Sequence, residues 1–370
     1  MTLPAGLPIS AVAGGLSTSG RGDTAGPAAA ADRESVRGFS IVGVSALIGV
    51  LAAQVLIPDL LQRYTVGLAV VGILIGVPHG AVDHMVPFWT SGTRPGPRSM
   101  ALVLGQYLGV AALAAAALVL APDLAVTAFL IASAVHFGLA ENEFRGLAEN
   151  EFRGLAENEV RGLAGRLPAT RRLDLLRAVA HGGAVIVLPL SLWHVQVTQV
   201  LGRLGPLYAG DQLTRLENVL AVGVLVLNAG LALAALRRRR WEEAAQIVLI
   251  VTVFIVVPPL AAFAVYFGGW HAIRHTGRLL ALPGPGGTML SRSAAWRRYV
   301  LHSALPTLTV VAAMSVIWAD HSRPVIAGAL AVLVAITAPH LFTVAALDRW
   351  TANERRRGEA PSATPARPSS

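Results

Sequence analysis

From residue 39 to residue 347 the chain is a succession of apolar runs, most of them as long as a membrane-spanning helix, parted by short polar or proline-bearing turns. A helix crossing the hydrocarbon core of a bilayer needs about 20 predominantly apolar residues. Inside lipid every backbone polar group must find a partner within the protein, which leaves helices and closed barrels. Runs of this length spell helices. The sequence therefore predicts an all-α fold, a polytopic integral membrane helix bundle. Candidate spans cover about 39–58, 66–89, 99–121, 124–142, 175–192, 215–236, 243–257, 260–281, 298–318 and 324–347. Charged residues make up 14% of the chain, well below the roughly 25% of soluble domains.

The seventh span is short, and Pro258-Pro259 offers either a turn or a kink. Ten spans, or nine with the seventh and eighth merged, are the choices. Arginine placement favours ten. The net charge of +9 comes from arginine alone, since the chain has no lysine. With ten spans and a cytoplasmic N-terminus, one face holds Arg94, Arg98, the run from Arg145 to Arg177, Arg237–Arg240, Arg278–Arg298 and the C-terminal arginines. The other holds Arg63, Arg203, Arg215 and Arg323. That asymmetry follows the positive-inside rule. A basic balance also suits nucleic acid, but arginines confined to the gaps between apolar runs read as topology signals, and no nucleic-acid partner is expected.

Residues 1–38, rich in Ala, Gly, Ser and Pro, read as a disordered cytoplasmic tail. They lack the compact basic and apolar regions of a signal peptide. Residues 39–347 form the transmembrane domain, and 348–370 a second disordered cytoplasmic tail. Within the domain, 141–174 reads as a cytoplasmic loop. It is lengthened by an octad, GLAENEFR at 138–145 and 146–153 and GLAENEVR at 154–161. Eight residues advance about 80° beyond two helical turns, so the copies share no face, and a solvated segment is the simpler reading than a cation site.

Polar rings in these apolar runs are the chemical signal. His79, His136, His271 and His275 lie in GVPHGAVDH, ASAVHFG and YFGGWHAIRH. An ionisable ring in a spanning helix is expensive and by default faces the bundle interior. Spans two, four, eight and ten run in one direction. His79, His136 and the His271/His275 pair fall about 11–15 residues into theirs, at a rise of ~1.5 Å per residue. His340, in APHLFTV, comes slightly deeper, and His181, in HGGAVIVLP, reaches a comparable level from the other side. His194, His302 and His321 fall near span ends and read as interfacial.

Each motif has a plain packing explanation of its own. His271 and His275, four apart, share a helix face and are able to chelate one ion, yet packing histidines also occur at that spacing. His79 stands between Pro78 and Gly80, the context of a kinked helix. Asp83, four residues after His79, is placed to orient a metal-bound imidazole by accepting its second N–H. Glu141, five residues after His136, is placed either to do the same for that ring or, at a span end, to be solvated. His84 is read as a hydrogen-bonding residue, and His181 and His340 as supporting residues. Jointly, four to six histidines in one slab are explained by one shared metal. The absence of cysteine removes thiolate and Fe–S sites, and imidazole-rich coordination suits Fe, Cu, Zn or Ni.

GVPHGAVDH, AVHFGLAE, HGGAVIVLP, YFGGWHAIRH and TAPHLFTV, in this order, resemble the Brp/Blh family of bacterial and archaeal membrane proteins, the β-carotene 15,15′-dioxygenases that make retinal for rhodopsins. The resemblance spans about residues 40–347. It implies an Fe(2+) centre held by His79, His136, His271 and His275. It also implies cleavage of the central double bond of β-carotene by O2 into two all-trans-retinal molecules, in the cell (plasma) membrane, with handover of retinal to a rhodopsin. The sequence departs from the pattern at Ala272, where a small hydroxyl residue is expected, at Glu141, where Asp is expected, and in the octad that follows His136.

A long polyene partitions into the lipid bilayer and needs shape more than hydrogen bonds. Spans two, four and eight, with or without span ten, are therefore expected to form an apolar tunnel open to lipid, with Tyr266, Phe267 and Trp270 either flanking the substrate or packing against lipid or core. Two rival readings are another membrane iron oxygenase, a lipid hydroxylase or desaturase, and a metal or proton transporter. The first wants more histidines, including adjacent pairs. The second wants carboxylates at several depths.

Overall fold

Prolines mark where helices begin. Proline has no N–H to lose at the first helical position, and its φ suits a helix; Pro58, Pro97, Pro122 and Pro259 each open one. The computed structural model describes residues 27–156, 167–319 and 325–359. The long helices are α1 (Pro27–Leu56), α2 (Pro58–Ala81), α4 (Pro97–Leu120), α5 (Pro122–Ala156), α6 (Leu167–Leu192), α8 (Thr214–Arg237), α9 (Trp241–Val256), α12 (Arg292–Ala319) and α13 (Val325–Glu359). Shorter ones are α3 (Val86–Ser91), α7 (His194–Leu201), α10 (Pro259–Val265) and α11 (Ile273–Leu280). A π-helical segment, Tyr266–Ala272, joins the last two. Among the described residues there is no strand.

All ten apolar runs are helical. Eight helices are long and apolar enough to cross a membrane among the described residues. The other two runs are α9, at 16 residues, and the broken stretch formed by α10, the π segment and α11. Val257 and Pro258 adopt extended backbone, so the proline pair separates α9 from α10 instead of kinking one helix. Helix also reaches beyond the expected spans. It begins at Pro27, and α5 runs on to Ala156 through the first two octad copies. Ala, Leu, Glu and Arg are strong helix formers, and Glu141 and Arg145 pair across one turn at 4.0 Å. Residues 1–26, most of the third octad copy, His321 and Arg323, and residues 360–370 lie outside the described residues.

The bundle packs small residues at its crossings, as lipid-embedded helices do. A methyl at Gly72 on α2 would lie 2.5 Å from the Ala264 carbonyl oxygen, and one at Gly268 2.7 Å from the Gly72 oxygen. Gly138 and Gly182 likewise bring α5 and α6 together, backbone on backbone. The apolar core joins α1, α6, α9, α10 and the π segment through Leu47, Leu188, Phe254, Tyr266 and Trp270. Large apolar side chains such as Leu102, Leu113 and Val119 on α4 point outward, and α4 buries no residue. That inside-out distribution suits a lipid surround.

The Gly72–Gly268 crossing sets how closely α2 approaches the π segment. Gly268→Val should overpack it at a cost of about 1–3 kcal/mol, read as a lower melting temperature of the detergent-solubilised protein. A variant melting with the wild type would show that this contact is slack.

Candidate metal centre

Helical segments from four parts of the chain carry histidine to one point. α2 brings His79, α5 brings His136, and the π segment with α11 brings His271 and His275. α13 adds His340. All five rings are buried. His79 stands edge-on to His271, His275 and His340, with centroids 5.4, 5.3 and 4.9 Å away. His136 lies 4.9 Å from His271 and 5.3 Å from His340. His271 and His275 are stacked at 6.2 Å and 6°. The four residues expected as ligands thus come together, and His340, expected in support, stands among them.

The nitrogens are disposed as a metal site requires. One donor atom each from His79, His271 and His340 lies within 4.8 Å of the others. His136 Nε2 and His271 Nε2 face each other at 3.2 Å. Two nitrogens bound ~2.1 Å from one ion at tetrahedral or octahedral angles sit roughly 3–3.4 Å apart. His79 Nδ1–H donates to the Gly76 carbonyl, which leaves its Nε2 lone pair free. His340 Nδ1–H donates to Asp83 Oδ2 at 2.8 Å, and among the described residues its Nε2 is buried without a partner, as is His275 Nδ1. A carboxylate holding one imidazole nitrogen while the other is free for a metal is the usual arrangement around a ligating histidine. Orphaned buried nitrogens otherwise carry a desolvation cost of about 1–3 kcal/mol each. The donor set fits a resident metal ion.

Asp83 accepts the Nδ1–H of His340, a ring brought in by α13. Tyr107, on α4, reaches the same carboxylate at 3.4 Å. Glu141 has a different job from the one expected. Five residues along a helix rotate about 140° away from His136, and Glu141 accepts from Arg274 at 2.6 Å and from Trp270 Nε1 at 3.1 Å. Arg274 lies over the Trp270 ring at 4.5 Å, which makes this cluster a buried anchor for the π segment. His181 bonds Tyr266 Oη at 2.7 Å, and Tyr266 in turn packs 6.5 Å from His271. His84 bonds the Ala81 carbonyl at 3.1 Å and faces His302 at 6.4 Å.

Tyr266 and Trp270 are 1% exposed and belong to the protein interior. Phe267 borders an apolar cleft between α2, α10, α12 and α13. The fourth span, expected in the tunnel, lends no residue to it. Tyr107 and Arg274 escaped the sequence reading. An arginine within an apolar span, four residues from Trp270, was the available signal for Arg274; Tyr107 carried none.

Fold and site define a polytopic membrane protein with a buried, imidazole-rich pocket able to hold a metal ion. The beta-carotene 15,15'-dioxygenase family profile matches residues 68–348, and the chain belongs to that family. The chain is also 28% identical over 305 residues to the probable beta-carotene 15,15'-dioxygenase Blh of Halobacterium salinarum, covering 75% of this chain and 82% of that protein. No solved structure matches.

The two carboxylates should behave differently when removed. Asp83→Ala frees the His340 ring and should weaken metal affinity about 10–100-fold, measured by metal competition. Glu141→Ala leaves Arg274 buried without its carboxylate and should destabilise the protein by about 3–5 kcal/mol, with a smaller loss of metal affinity than Asp83→Ala. Equal loss of affinity in both would contradict this division.

Proposed function

We propose that this chain cleaves the central 15,15′ double bond of β-carotene with O2 and releases two all-trans-retinal molecules. The family supports the reaction class. The observation that carries the reading to this chain is the convergence of His79, His136, His271, His275 and His340 in one buried cluster. His79, His136, His271 and His275 would hold ferrous iron. His340, anchored by Asp83, presents a fifth nitrogen. Bound ferrous iron would supply the one-electron chemistry that lets O2 react with a closed-shell alkene. The reaction balances without a further reductant: the C=C bond breaks, and each carbon takes one oxygen atom of O2.

The protein's own part is placement and exclusion. Nδ1–H bonds to Gly76 and Asp83 fix the tautomers of His79 and His340 and aim Nε2 inward. The aromatic rings of Phe137 and Phe267 pack against His271 at 4.9 and 6.3 Å. They exclude water from the cluster and offer an apolar surface to a hydrocarbon. No residue needs to act as a general base. The substrate enters from lipid, and both termini lie on the cytoplasmic side of the plasma membrane, where the arginine-rich segments are retained.

Expression in β-carotene-producing bacteria should bleach the cells and yield retinal, identified by chromatography. His79→Ala and His271→Ala should each abolish retinal formation and lower iron content. Unchanged carotenoid despite good expression and iron supply would overturn the proposal, and retained cleavage in either variant would remove that residue from the ligand set.

A further inference from the structure

The apolar cleft beside the histidine cluster has a volume of about 370 Å³. That lies in the ~300–1,000 Å³ range of small-molecule sites. Its walls include Ile73 on α2, Leu260 and Phe263 on α10, and Met314 on α12. Val70 and Leu74, also in the wall, are 40% and 44% exposed. The mouth therefore opens on the outer surface of the bundle, the side that meets lipid. The lining offers almost nothing to hydrogen-bond, so it selects by shape and apolar contact.

The inner end of the cleft is one side chain thick. Phe267 lines the cleft, and the same ring lies edge-on to His79 at 5.6 Å and parallel to His271 at 6.3 Å, tilted by 16°. Phe263 stacks on it from the cleft side at 5.8 Å and 5°. Gly76, one turn before His79, makes the space: a methyl there would overlap the Phe267 ring. The cleft and the histidine cluster thus share the Phe267 ring as a common wall.

We propose that this cleft binds one ring-bearing half of a carotenoid, and that Phe267 is the partition that sets which double bond reaches the histidine cluster. The proposal rests on the dioxygenase reading above. A hydrocarbon occupant follows from three observations together: an apolar wall, a mouth facing lipid, and an end abutting the cluster. The volume suits part of a carotenoid, so the reacting bond falls at the Phe267 end and the other half extends beyond it.

Binding and cleavage test the two readings separately. The iron-loaded, full-length protein in detergent would be titrated with β-carotene without O2, binding being followed by the shift of the polyene absorption band. Wild-type protein should bind. Ile73→Trp and Met314→Trp, on different helices, fill the cleft and should each bind about tenfold or more weakly, with iron content and helical circular dichroism unchanged. Wild-type affinity in both folded variants would overturn the cleft even if retinal is formed. Should a tryptophan variant lose iron, Met314→Ala, which removes wall contacts, should also weaken binding, and wild-type affinity there counts against the cleft. On admitting O2, Phe267→Ala should add off-centre aldehyde products to retinal; an unchanged product pattern would overturn the partition role. Wild-type binding without retinal formation would overturn the dioxygenase reading and leave the cleft standing.

Discussion

Imidazole nitrogens buried inside a lipid-embedded bundle have no water to turn to, and that constraint governs this structure. Each ring must give its N–H to a partner and its lone pair to something positive. Here the first demand is met locally, by the Gly76 carbonyl for His79 and by Asp83 for His340. The second is met only in part: among the described residues His340 Nε2 has no partner, and His136 Nε2 and His271 Nε2 share a single hydrogen bond with each other at 3.2 Å. With the Nδ1 sides of His79 and His340 held by the protein, their Nε2 atoms are turned inward and able to accept a cation.

The surrounding fold serves that cluster. Close backbone contact at Gly72 and Gly268 brings α2 against the π segment, so that His79 meets His271 and His275. π insertions recur at functional sites; this one carries His271 on one side and the Trp270 anchor on the other. The pair of Arg274 and Glu141, with Trp270, ties the segment to α5, the helix that also supplies His136. A buried ion pair contributes little net stability but is costly to break, which makes it a positional lock. On the outer side Phe267 separates the cluster from the cleft.

Much of this was legible in the sequence, for a physical reason. Span length ties residue number to depth, so His79, His136, His271, His275 and His340 were readable as one layer. Four-residue spacing ties residues to a face, so His271 and His275 were readable as a pair. Rotation about each axis was not. Glu141 looked like a partner of His136 until five residues of helical turn carried it to Arg274. Asp83 was seen as an orienting carboxylate, but its imidazole comes from α13, 257 residues away, a distance no local pattern spans. The π segment also departs from the 100° step that would place Tyr266 and Trp270, and both turned inward.

The proposed reaction places a single iron ion among these imidazoles. X-ray absorption at the iron edge of the loaded wild-type protein tests it most directly. Four or five nitrogen neighbours with the outer-shell scattering of histidine rings, weakened in His271→Ala, is the predicted result. A first shell of oxygen without imidazole scattering would contradict it.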